Sequence, residues 1–397
     1  MMRVTEGTGQ QQFLNAINSL ESNISETQDQ ISSNESFTTA SENPVAAGSV
    51  NTYEQALAQS QQYAANGSSA QTNLNTESNA LTQVTNQLQS LRDLALEANS
   101  GTLQSSDRSG IVSQITQIQN SLLGLANTQN GNGDYIFSGF ASQTQPFALT
   151  ATGATYSGDQ GVQQVQIAAG QTVVTGDNGD AVFNQIKTGN GTFTVSANPA
   201  NTGSGLIGAT TVTNAAAYDG GTYQIEFTPA GGGAYKIVDA GGATVSTGTY
   251  TDGADISFDG LQIALSGTPA AGDSFTVAAS TNQSIFTTVQ NLVTALNSNS
   301  SSTALSNSLT GEINNLDQAL TSISDTQASV GGRLNAITTQ QSVQTSQQTQ
   351  LQTSIASLQG LNYASALTQL DQQNTTLQAA MQAYTLTQGL SLFKYIS

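Results

Sequence analysis

No cysteine, histidine or tryptophan occurs anywhere in the 397 residues of this chain. Without thiolate or imidazole there is no cysteine nucleophile, no histidine acid–base pair and none of the nitrogen and sulfur ligands that zinc prefers. A disulfide-built fold is excluded too, while the lack of thiols leaves the redox compartment open. Charge is scarce, at 8% of residues, against about 25% in an average soluble protein. Solubility therefore rests on Gln, Asn, Ser and Thr. Basic residues are the rarer sign, 7 against 26 acidic for a net charge of -19. No Lys/Arg cluster exists that would neutralise a row of phosphates, which argues against nucleic acid and anionic membrane as partners.

Long apolar runs are also missing. Residues 1–20 hold no continuous apolar core of signal-peptide length, and no stretch approaches the roughly 18 apolar residues of a membrane span. The expectation is a chain without membrane insertion and without a cleaved Sec signal. Proline occurs only at Pro44, Pro146, Pro199, Pro229 and Pro269. Four of these mark one central region, and none interrupts a helix beyond it.

What is present falls into two patterns. Near the start, Phe13, Ile17, Leu20, Ile24 and Ile31 follow alternating three- and four-residue steps, with Thr27 as a polar seam position. Near the end, Tyr363, Leu367, Leu370, Leu377, Met381 and Tyr384 repeat this, with Asn374 at the polar position. A seam that narrow is not stable in a lone helix in water, so each terminus requires a partner, either the other terminus or another molecule. Asn43-Pro44 reads as a cap and first turn of a second helix ending at Ser100-Gly101. Ser105-Ser106-Asp107 opens a third, closed by the turn Asn130-Gly131-Asn132-Gly133. From about 283 the helical spacing returns through Ile313, Leu316, Ile323, Val330, Ile337 and Leu358, with a slip of one residue beside Gly360.

Between about 145 and 279 the spacing becomes alternation, as in Tyr223, Ile225 and Phe227, punctuated by glycine and Asp-Gly turns. Short bounded strands of this kind predict a sandwich or small barrel. The expected fold is multidomain α plus β. Residues 1–38 with 360–397 make a terminal coiled coil, 39–140 with 283–359 a helical bundle, and 141–282 an inserted all-β outer domain.

Residues 203–208 match the G-x-G-x-x-G dinucleotide fingerprint by letter, but no helix pattern opens there, and a loop is the expected reading. Asp177, Asp180, Asp252, Asp255 and Asp259 sit in turn contexts without a calcium-loop spacing, and are read as solvated turn acids. No catalytic, cofactor-binding or metal-binding residue is expected. Leu392, Phe393, Tyr395 and Ile396 are large apolar side chains at the end of a heptad helix, and interface burial is their expected fate.

Three stretches resemble the flagellin family, on its branch of hook-associated proteins that join hook to filament. These are LQSLRDLALEANSG at 88–101, continuing through SLLGLANT at 121–128 to GDYIFSG at 133–139; ISFDGLQIALSGTPAAGDSFTV at 256–277; and the run 361–396, with Ser391-Leu392-Phe393. Where the family usually has a Ser-Gly-Lys turn and Asp-Asp-Pro, this chain has Ser32-Ser33-Asn34-Glu35 and Ser41-Glu42-Asn43-Pro44.

The resemblance implies a coiled-coil inner domain, type III export aided by a cytosolic chaperone, and termini that order on assembly. It also implies self-association as a ring or helical layer between a neighbouring hook-associated protein and filament-side flagellin, outside the cell. The expected assembly residues are Phe13, Ile17, Leu20, Ile24, Ile31, Leu367, Leu370, Asn374, Leu377, Met381, Tyr384, Leu392 and Phe393. A filament flagellin and a secreted adhesin with a β-rich binding domain remain as alternatives.

Overall fold

The computed structural model describes residues 2–100, 105–228, 233–298 and 300–389. Six helices are seen among them: α1 (Met2–Ser33), α2 (Pro44–Ala98), α3 (Ser105–Ala126), α4 (Ile285–Asn297), α5 (Ser302–Gln359) and α6 (Tyr363–Gly389). No helix among the described residues is long and apolar enough to cross a membrane. The chain divides into two compact units, Met1–Ala65 with Gln340–Ser397, and Asn66–Thr339. The boundaries expected near 38 and 360 both lie within the first of these units. Asn43 does cap α2, accepting from the N–H of Ala46 at 3.1 Å, but nothing at that cap ends the packing around it. Phe37, Ala46 and Val50 form a small core with Ile355 and Leu358, which ties the start of α2 to the end of α5.

In the first unit the chain leaves α1 through Asn34, one of two non-glycine residues with positive φ among the described residues, at 60°. Asn is among the residues that tolerate the left-handed region. Glu35 forms an antiparallel bridge with Gly360, and Ser36 N–H donates to Gln359 O at 2.7 Å. The expected slip beside Gly360 is therefore a full break between α5 and α6. A side chain at Gly360 would overlap the Ala356 carbonyl. Within the chain, α1 packs along α6.

The second unit is built on helices whose buried residues recur every seven positions. Leu309, Leu316, Ile323, Val330 and Ile337 of α5 face Leu74, Leu81, Val84, Leu88 and Leu91 of α2 in one core with α3 and α4. The ion pair Arg92–Asp317 at 2.5 Å links the two long helices at their surface. A break between α4 and α5 was not expected. It is made by serines: Ser298 caps the end of α4, and Ser301 Oγ accepts from Ala304 N–H at 3.2 Å.

Within 141–282, expected as one β domain, the strands contribute to two different cores. The hairpins β1 (Phe147–Thr150) with β2 (Gly153–Tyr156), and β3 (Gln164–Ala168) with β4 (Gln171–Val174), are followed by a π-helical turn at Asp180–Asn184. They share the helical core through Phe147, Ile167, Val173, Val182 and Phe183. The reason is an aromatic knot. Phe147 meets Phe183 at 5.4 Å, Tyr156 at 5.1 Å and Phe286 of α4 at 5.3 Å between ring centroids. Alternation predicts a strand but does not say which core its apolar face joins.

After the short β5 (Ile186–Lys187) come β6 (Phe193–Ala197), β7 (Leu206–Val212), β8 (Tyr223–Phe227), β9 (Ala234–Asp239), β10 (Thr244–Thr249), β11 (Asp255–Phe258), β12 (Leu261–Ser266) and β13 (Ser274–Ala279). The order β10-β9-β8-β13-β6 makes one antiparallel sheet and β11-β12-β7 a second. Both contribute to one core: Tyr223, Ile225, Phe227 and Phe275 from the first, Ile256, Leu261, Ile263 and Leu265 from the second. Of the sandwich and the small barrel that alternation left open, this is a sandwich, with Gly203 and Gly205 in the loop leading to β7 and no nucleotide-binding helix after them. The chain re-enters the helical part through β14 (Asn282–Gln283), paired with β5.

Candidate assembly interface

The α1 seam is the one the spacing predicted. Ile24 is buried, Phe13, Ile17, Leu20 and Ile31 are half-buried, and Thr27 is 3% exposed. Phe13 stacks on Tyr384 with centroids 5.3 Å apart and planes 10° from parallel. Further along, Thr27 Oγ1 donates to Gln373 Oε1 at 3.0 Å. The two contacts run in opposite directions along the helices, so the pair is antiparallel. Thr27 Oγ1 also lies 2.9 Å from Asn23 O, so the polar seam position is satisfied within its own helix and across the pair.

On α6 the structure divides the predicted seam lengthwise. Ala366 is buried and Leu370, Gln373, Leu377, Ala380 and Tyr384 are half-buried, while Leu367 and Met381 are exposed at 41% and 45%, with Tyr363 exposed beside them. Columns three and four residues away from the same central row flank it on opposite sides. The helix turns its 366-373-380 flank toward α1, where two alanines allow close approach, and its 367-374-381 flank away. Asn374 is half-buried on that outer flank. Size favours Leu and Met as seam residues in a sequence reading; the seven-residue row Ala366, Gln373, Ala380 was the missed signal. Leu392 and Phe393 lie outside the described residues.

The 133–139 motif forms a turn whose letters have a physical reading. Asn130 Oδ1 accepts from the N–H groups of Asn132 and Asp134, and Gly133 turns the chain at φ 87°. Phe137 is buried against Phe183. Gly139 has φ 69°, and a methyl group there would overlap the carboxylate and carbonyl of Asp159. Asp159 Oδ1 accepts from Phe140 N–H at 2.9 Å and Gly161 N–H at 2.7 Å, and these bonds hold its carboxyl below the usual carboxylate range. Tyr156 closes the cluster by donating to Phe137 O and Asp159 O. Burial pushes its hydroxyl up to about 12, so it stays a donor. Phe140 is left 64% exposed on this rigid base. Gly139→Ala is expected to destabilise the second unit by about 2–4 kcal/mol, from left-handed strain plus overlap. Urea unfolding followed by circular dichroism measures this; an unchanged midpoint would show that the turn yields freely.

Asp252 and Asp180 behave as turn acids, Asp252 accepting from Gly267 N–H and Asp180 from Asn184, Gln185 and Gln160. Asp177 does not, since Arg333 holds it in a paired ion contact at 2.9 and 3.0 Å with little exposure of either side chain. A cleft of about 430 Å³ between the sandwich and α4 and α5 is lined by Asn291, Asn307, Glu312 and Asn315 among others. Burial pushes the Glu312 carboxyl up, although Asn291 and Asn315 donate to it. Among the described residues there is no group of three or more His, Cys, Asp or Glu able to hold a metal ion.

Comparison with known proteins agrees with this geometry. Residues 6–142 match the bacterial flagellin N-terminal helical region. Residues 196–279, the sandwich, match the D2-like domain of flagellar hook-associated protein 1. Flagellar hook-associated protein 3 of Salmonella typhimurium is 32% identical over 185 residues, covering 47% of this chain and 58% of that protein. The chain thus spans a little over half the length of that relative. The crystal structure of Xanthomonas campestris FlgL superposes with a TM-score of 0.71 at 33% identity, covering 77% of this chain and 99% of that one. Hook-associated protein 3 from Legionella pneumophila gives a TM-score of 0.72 at 30% identity, covering 78% and 98%. With almost the whole of these solved relatives matched, helices and sandwich alike, the chain belongs to the family of flagellar hook-associated protein 3.

Proposed function

We propose that this chain is a structural subunit at the junction between flagellar hook and filament, exported from the cell and built into a ring or helical layer through α1 and α6. The observation that carries the reading is the divided stripe on α6. One side is packed against α1, and Leu367, Met381 and half-buried Asn374 form a second row on the flank turned away from α1. An apolar stripe wider than a two-helix seam suits a helix that packs on more than one neighbour. The neighbours proposed are further copies of the chain, a hook-associated protein on the hook side and flagellin on the filament side, with a cytosolic chaperone covering the termini before export.

No catalytic role is proposed, because the relatives are structural proteins of the flagellum. Deleting the gene tests the reading. Flagellin shed into the medium from cells with bare hooks is the expected result, and normal filaments on the deletion strain would overturn it.

A further inference from the structure

Glu77, in the middle of α2, is 1% exposed. Its Oε1 accepts from the backbone N–H of Asp177 at 3.2 Å, and its Oε2 has no hydrogen-bond partner. Asp177 reaches it from the segment after β4, and Arg333 reaches Asp177 from α5 with both terminal nitrogens. Arg333 also donates to Ser329 Oγ. These are the charged groups that act on Glu77; Asp134, on the neighbouring turn, shares a cleft with Asp177 but is engaged by Gln143.

One cation and two carboxyls balance only if one carboxyl keeps a proton. Arg333 and Asp177 already neutralise each other, so an ionised Glu77 would add an uncompensated buried charge, far more costly than a neutral hydroxyl without a partner. The segment carrying Asp177 also backs the family turn, since Gly179 N–H donates to Phe137 O at 2.7 Å.

We propose that Glu77, Asp177 and Arg333 form a proton-dependent clasp. While Glu77 holds its proton, the triad is neutral and pins the 175–179 segment between α2 and α5, behind the 133–139 turn. Loss of that proton in alkaline solution leaves a bare charge in the core and loosens the segment. Burial first, and then the Asp177 carboxylate, push the Glu77 carboxyl from its ordinary 4.5 up to about 8. Between those values the folded chain binds more protons than the unfolded one, so this contribution to stability is complete below the lower value and declines as pH rises to the upper.

The test is the melting temperature of the full chain from pH 5 to pH 9, for the natural protein and for Glu77→Gln, which keeps the shape without the charge. The natural protein is expected to lose roughly 5–10 °C more than the variant over this range. Amide exchange of residues 175–179 should rise with pH beyond its intrinsic dependence only in the natural protein. Parallel melting curves for the two proteins would overturn the proposal. Should Glu77→Gln fail to fold, the carboxyl carbon of Glu77 can be titrated by NMR in the natural protein with labelled glutamate. A midpoint well above the carboxylate range supports the clasp, and an ordinary midpoint overturns it.

Discussion

Cells carrying only Met381→Asp are expected to export the protein, retain its folded body and fail to build filaments on their hooks. In the single chain Met381 is 45% exposed on the flank of α6 turned away from α1. An aspartate there stays solvated, and the intrinsic helix penalty is about 0.5 kcal/mol. Circular dichroism and the melting of the second unit should therefore be unchanged. Burying the same carboxylate against a neighbouring subunit costs several kcal/mol unless a cation pairs with it or it protonates. Leu377→Asp is the contrast, because Leu377 lies in the α1–α6 seam and its loss should separate the pair within one molecule. Normal filaments with Met381→Asp would show that the outer flank faces water in the working state, and the assembly reading of α6 would fail.

Phe147→Ala is expected to cost about 3–5 kcal/mol. Its ring is fully buried among Phe183, Tyr156 and Phe286, joining the first hairpin and the π-helical turn to α4. The loss should appear as earlier unfolding of the helical core in urea. Protection of sandwich amides such as those of Ile225 and Val277 should persist to higher denaturant, because their core contains none of these rings. Simultaneous loss of both would indicate that the sandwich has no stability independent of the helices. A cost below about 1 kcal/mol would mean that the cavity collapses without loss, contrary to a packed aromatic knot.

Much of the fold was legible because it is periodic. The α1 seam, the Asn43-Pro44 start of α2, the break beside Gly360 and the strands through Tyr223, Leu261 and Phe275 each have a local cause: spacing, capping or backbone freedom. The 133–139 turn was legible as a motif, and the structure supplies its reason in the Asp159 and Tyr156 bonds. Other features had no local cause to read. The serine break between α4 and α5 replaces a proline signal with weak capping, and the first two hairpins alternate like the sandwich strands while packing elsewhere.

The candidate site divides in the same way. Residues 363–384 place apolar side chains along one stripe, and that is as far as one helix can specify. Which flank of the stripe meets α1 depends on the partner's shape, and the small Ala366 and Ala380 decided it over Leu367 and Met381. Asp177 shows the limit for charge. In the sequence it stands in a Gly-Asp-Asn turn with every sign of a solvated acid, since neither Glu77 nor Arg333 is near it along the chain. By itself the sequence determined where helices and strands run and that the termini require partners, since both follow from interactions within a few residues. Tertiary structure alone decided which core each apolar face joins, which side of α6 stays open and which carboxyl is buried, because those outcomes depend on residues brought together from distant parts of the chain.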